Sequence, residues 1–169
     1  MIKRIACIMA LAQLTAIGAA RSLNKPFPQF QDYPVREKFS GKPAAPKLTS
    51  KRARLFRTNI RTQTAEGANF AGHYRIVTWG CGAGCAQFAV VDVKTGDVYF
   101  PPSVETVMVL LEQEENPLQF RLDSRLLIIT GNKQMPNWRN PESGKFFYQW
   151  KENRLILIRK VKSLNNPGH

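Results

Sequence analysis

The segment Asn69-Phe70-Ala71-Gly72-His73-Tyr74, followed by Trp79-Gly80-Cys81-Gly82-Ala83-Gly84-Cys85, gathers the side chains of this chain best suited to chemistry. His73 could act as a general base, with Tyr74 or Asp92 as its partner, in a cleft beside the cysteine loop. A hairpin pivoting at Ala83 tests that idea. It pairs Tyr74 with Asp92, Ile76 with Val90 and Thr78 with Phe88, and places His73, Arg75, Val77 and Trp79 on the opposite side. His73 and Asp92 then face apart, so a dyad is disfavoured, although a one-residue slip would restore it. The expectation is a structural, hydrogen-bonding histidine.

The cysteines allow several chemistries and favour one. A thiol–disulfide exchanger wants Cys-x-x-Cys at a helix N-terminus; here Cys81 and Cys85 have three residues between them and strands on either side. Zinc would find at most Cys81, Cys85 and His73, with His169 on the terminus, so no metal site is expected. The intervening glycines leave amides that could form an anion nest, an unspecific signal. The remaining reading is a disulfide closing a small ring and fixing a loop. Ser22-Leu23-Asn24-Lys25 and Lys94-Thr95-Gly96 imitate fragments of penicillin-recognising enzymes, but the middle Ser-Asp-Asn element is missing. Walker, Gly-x-Ser-x-Gly, His-Glu-x-x-His and calcium-loop patterns are absent, and no cofactor is expected.

These residues need elements to hold them. Residues 49–66 have helical periodicity, and Leu48, Arg52, Phe56 and Ile60 fall near one face with Leu55 beside them. Thr49 or Ser50 is the predicted N-cap, and Gly67 ends the helix. After Gly67 the period becomes two. Strands are predicted over 72–79, 86–93, 98–100, 120–130, 146–151 and 154–161, with 104–111 a strand or short helix. Lys94-Thr95-Gly96-Asp97 and Glu152-Asn153 are the turns. Residues 21–46 hold Pro26, Pro28, Pro34, Pro43 and Pro46, which predicts an extended arm; Phe27, Phe30, Tyr33 and Phe39 should bring some rings onto the domain. The expected fold is α+β: the arm and one basic amphipathic helix packed on an antiparallel β-meander sheet, as a single domain over 47–169.

The first twenty residues have the parts of a secretory signal: Lys3 and Arg4, an uncharged apolar stretch from Ile5 to Ile17, then Gly18-Ala19-Ala20. That stretch is about thirteen residues, short of the ~20 a membrane-spanning helix needs. Cys7 lies inside it, where a lipid-attachment cysteine would not be. The expectation is a periplasmic or secreted protein with no transmembrane segment in the mature chain. The full chain has a formal charge of +13. Loss of Lys3 and Arg4 leaves about +11, which favours an acidic protein or anionic envelope component as partner. Lys47, Lys51, Arg54, Arg57 and Arg61 on the helix, with Trp79, are the candidate binding residues. No specific nucleic-acid signature accompanies them.

The Asn69–Tyr74 and Trp79–Cys85 patterns, with Asp32-Tyr33-Pro34-Val35, Gly41-Lys42-Pro43-Ala44, Phe88-Ala89-Val90-Val91-Asp92 and the Thr95-Gly96 turn, resemble an uncharacterised family of small exported bacterial proteins. The resemblance covers roughly residues 30–100. It implies a Gram-negative envelope setting and brings no activity or functional residue with it. Three functions follow as expectations: a non-catalytic binding or inhibitor-type protein acting through its basic surface, a small enzyme using His73 with Tyr74 or Asp92, or a structural envelope component.

Overall fold

A computed structural model describes residues 27–108, 116–134 and 142–162. The predicted signal segment, Cys7, the first residues of the arm and His169 lie outside them. The described residues form one antiparallel sheet of eight strands with two short helices, an α+β arrangement. The strands are β1 (Tyr74–Gly82), β2 (Cys85–Asp92), β3 (Val98–Tyr99), β4 (Thr106–Met108), β5 (Leu118–Phe120), β6 (Leu126–Gln134), β7 (Glu142–Lys151) and β8 (Arg154–Val161). Their order is β1-β2-β4-β6-β7-β8, with β3 on β2 and β5 on β6. The predicted strand over 120–130 is divided between β5 and β6, and the 104–111 run gives β4.

The β1–β2 register is the one that a pivot at Ala83 demands: Tyr74 opposite Asp92, Ile76 opposite Val90, Thr78 opposite Phe88. Alternation then sorts the side chains into layers. Ile76, Phe88 and Val90 join Leu127, Ile129, Phe146 and Tyr148 in the main core. Val77, Trp79, Ala89 and Val91 face the other way and are covered by Ala53 and Ile60. On the second hairpin, Leu126, Ile128 and Phe147 turn outward and are met by Phe30 and Tyr33. The central strands are thus covered on both faces, which explains the unbroken apolar runs Phe88–Val91 and Leu126–Ile129.

The helical segment is two helices, α1 (Lys51–Leu55) and α2 (Arg57–Thr64), in place of the single one predicted. Ser50 caps α1, accepting a hydrogen bond from the Ala53 amide at 3.0 Å. Phe56 leaves helical geometry (φ −98, ψ 22) at the junction, and its ring stacks on Trp79 at 4.2 Å. Such a stack contributes about 1 kcal/mol beyond area burial. The break also turns Leu55 away from the apolar face, leaving it 72% exposed.

The arm has one 3-10 turn, Phe30–Asp32, and is otherwise held by backbone hydrogen bonds. Arg125 donates to the Tyr33 carbonyl (2.8 Å), Phe39 to Gly72 (2.8 Å), Ala44 to Val93 (2.8 Å) and Lys47 to Gly96 (2.7 Å). Gly72, with φ +85, makes the crossing possible, because a Cβ there would collide with the Glu37 carbonyl oxygen. Phe27 stacks on Phe147 at 6.0 Å.

Candidate functional site

The arm does more than cover the sheet. Between Pro34–Glu37, the turn before β1 and the β7–β8 turn lies a cleft of about 640 Å3. The β7–β8 turn is the predicted Glu152-Asn153 pair, both with positive φ (51 and 60). The cleft lies at the end of the β1–β2 hairpin away from the cysteine loop, not beside that loop as expected. Cys81 and Cys85 are at disulfide distance, Cα–Cα 5.1 Å, in an exposed loop at the far end.

His73 and Tyr74 line this cleft, and here the predicted separation of His73 from Asp92 fails. His73 Nε2 lies 3.8 Å from Asp92 Oδ2. The pairing register is right, but His73 precedes β1, in a turn where Ala71 (φ 45) and Gly72 (φ 85) have left-handed backbone. Strand alternation does not extend to it. At 3.8 Å the two groups are neighbours but are not hydrogen-bonded, and they form an ion pair only when the imidazole is protonated. The other Asp92 oxygen, Oδ1, accepts from the amides of Lys94 (2.8 Å) and Thr95 (3.3 Å), holding the turn into β3.

Burial lowers the His73 pKa below 6.5; Asp92 opposes this, Lys94 adds to it and Glu37 opposes it. The imidazole is therefore neutral at pH 7. The unfolded chain takes up this proton first as pH falls, so His73 weakens the fold on acidification, beginning near pH 6.5. A His73→Gln variant should show a shallower loss of stability between pH 7 and 5 in denaturant titrations. Parallel curves for the two proteins would contradict this.

The Tyr74 hydroxyl donates to Asn153 Oδ1 at 2.7 Å. Burial raises its pKa, the Trp150 indole partly offsets this, and Asp92 adds to the rise. Tyr74 is a protonated donor that joins the two hairpins; its ring meets Trp150 at 5.3 Å.

Cations dominate the rim. Arg36, Lys94, Arg125 and Lys151 border the cleft against Glu37 and Glu152. Lys94 lies 3.8 Å from Glu37, and Lys151 3.7 Å from Glu152. Arg36 and Arg125 meet no carboxylate among the described residues, and the Arg125 Nε is buried without a hydrogen-bond partner. A buried, unpaired guanidinium nitrogen is costly unless something else satisfies it.

The helix residues expected to bind are dispersed by comparison. Lys47 pairs with Asp97 at 2.9 Å. Arg54 donates to the Thr49 carbonyl at 2.6 Å, and Arg57 to the Arg54 carbonyl at 3.4 Å. Lys51 and Arg61 are exposed, with no ion pair among the described residues. Trp79 is not a surface residue: it is 8% exposed beneath Phe56, and its indole donates to Gln87 at 3.0 Å.

Sequence reasoning missed Arg36 and Arg125. They stand in an irregular arm and in a tight connection between strands, and only the arm's path brings them together. Among the described residues no helix is long and apolar enough to cross a membrane. No family model, curated protein or solved structure matches this chain.

Proposed function

We propose that the protein is an exported, non-catalytic binding protein whose cationic cleft holds an anionic group, a carboxylate or phosphate, of an envelope component or acidic partner. The observation that carries this reading is that two guanidiniums, Arg36 and Arg125, stand on one cleft with no carboxylate partner among the described residues, the Arg125 Nε being buried and unsatisfied. Guanidinium presents a planar fork that matches carboxylate and phosphate oxygens. The neutral His73 and the Tyr74 hydroxyl supply polar contacts beside it.

Isothermal titration with inorganic phosphate and with a simple sugar carboxylate, at low and moderate salt, tests the proposal. Binding should weaken with salt, and Arg125→Ala should weaken it about tenfold or more. Binding by wild type that ignores both salt and the loss of Arg125 would overturn it.

A second reading, hydrolysis with His73 as base, draws on the 3.8 Å approach of Asp92. It requires turnover that His73→Gln abolishes while ligand affinity stays. The first reading is favoured, because one Asp92 oxygen is committed to the turn and the rim offers charge for binding.

A further inference from the structure

The two ends of the sheet are finished differently. β1 is one edge, yet the outward backbone groups of its Tyr74, Ile76 and Thr78 are satisfied one after another. The Tyr74 amide donates to Phe70 (2.9 Å), and the Tyr74 carbonyl accepts from the Asn69 and Phe70 amides (3.0 and 2.9 Å). The Asn69 side-chain amide both accepts from Ile76 N (2.8 Å) and donates to Ile76 O (3.2 Å). Gln63 does the same for Thr78, at 3.0 and 2.7 Å. These carboxamides imitate a neighbouring strand and close the edge.

β8 is the opposite edge, and nothing comparable among the described residues covers it. Its ladder runs to β7 alone, and its outward amides and carbonyls meet no partner among the described residues. Ile156, Leu157 and Ile158 are 42, 47 and 38% exposed. Ile158 is the extra residue of a bulge between the Leu157 and Arg159 pairings, and the regular part of the unpaired edge, up to the exposed Ile156 and Leu157, makes a template for another strand.

The charges along β8 select the occupant. Arg154, Arg159 and Lys160 flank the apolar triad, with Glu152 4.0 Å from Arg154 and Glu142 beside Lys160 as the nearby acids, so the edge is net cationic. A second copy of this strand fits poorly. Antiparallel self-pairing about Leu157 would set Arg154 against Lys160 twice, and like charges directly opposed are destabilising. We propose that β8 is a docking edge that takes an extended segment of a partner protein, alternating acidic and apolar residues, by strand addition. This edge adjoins the cleft at Glu152 but uses neither Arg36 nor Arg125.

The test uses fluorescence anisotropy with a labelled octapeptide of alternating Glu and Val against the mature chain. Three comparisons define the mode of binding. A Lys–Val octapeptide and a Glu–Val octapeptide N-methylated at alternate residues should each bind at least about tenfold more weakly, because one loses charge complementarity and the other the backbone ladder. Leu157→Asp should weaken binding by a similar factor with an unchanged circular dichroism spectrum, and Ile158→Thr, which keeps strand propensity, provides a second probe should the first fail to fold. Arg125→Ala should leave peptide affinity as in wild type, which separates this edge from the cleft. Equal affinity for the N-methylated peptide, no binding at millimolar peptide, or a dimer of the chain alone that Leu157→Asp dissolves would each overturn the proposal.

Discussion

Gly72→Ala should destabilise the protein by about 3 kcal/mol and release the arm from the cleft, while Gly67→Ala should cost only about 1 kcal/mol. Both glycines have left-handed backbone, φ +85 and +90, so an alanine suffers similar conformational strain at either. Their surroundings differ. A Cβ at Gly67 meets nothing within 4 Å, whereas one at Gly72 runs into the Glu37 carbonyl oxygen. That oxygen is backbone and cannot swing aside as a side chain would. To relieve the clash the arm must lift, which breaks the bond from Phe39 to the Gly72 carbonyl (2.8 Å) and moves Arg36 and Glu37 off the rim of the cleft. Thermal denaturation should show a drop of about 10 °C for Gly72→Ala, and limited proteolysis should cut the arm faster than in wild type. Anion affinity should fall with it. Equal losses for the two variants would mean that the arm's close passage contributes nothing.

That contrast marks the limit of what the residues disclose by themselves. The hairpin register was legible from Tyr74 to Gly80 because Gly82-Ala83-Gly84 fixes a pivot for the alternation, although the pairing shifts between Gly80 and Gly82 at the tip. The same alternation misled at His73, one residue before β1, where Gly72 and Ala71 rotate the chain out of the strand pattern. Trp79 was assigned to the correct side, with Val77, but its cover comes from Phe56, at a helix junction that periodicity reads as continuous helix. Gly96 was visible as a turn former, and Gly72 as the first residue of a predicted strand. Their second task, admitting the arm past a backbone carbonyl, depends on a contact between residues about 35–50 positions apart, which no local pattern carries. For the same reason Arg36 and Arg125 could not be paired in advance, whereas a basic stripe at helical spacing stood out although part of it is spent on backbone carbonyls and Asp97.

Asn69→Ala is expected to cost about 2–3 kcal/mol, more than its half-exposed position suggests. The side chain meets both the N–H and the C=O of Ile76, and Ile76 is 2% exposed, so water has little access to replace either bond. Two buried backbone groups are left unsatisfied, the costly half of the hydrogen-bond balance. Asn69→Asp sharpens the point. A carboxylate can still accept from Ile76 N but can no longer donate to Ile76 O, so it should recover only a fraction of the loss. Gln63→Ala removes the equivalent pair at Thr78, which is half-buried and reachable by water, and should cost about 1 kcal/mol. Together, Asn69→Ala and Gln63→Ala turn β1 into an open edge like β8. The double variant should therefore associate with rising concentration in sedimentation velocity under conditions where wild type does not. Urea denaturation of the single variants measures the first effect. An Asn69→Ala loss under about 0.5 kcal/mol would show that these carboxamides do not stand in for a neighbouring strand.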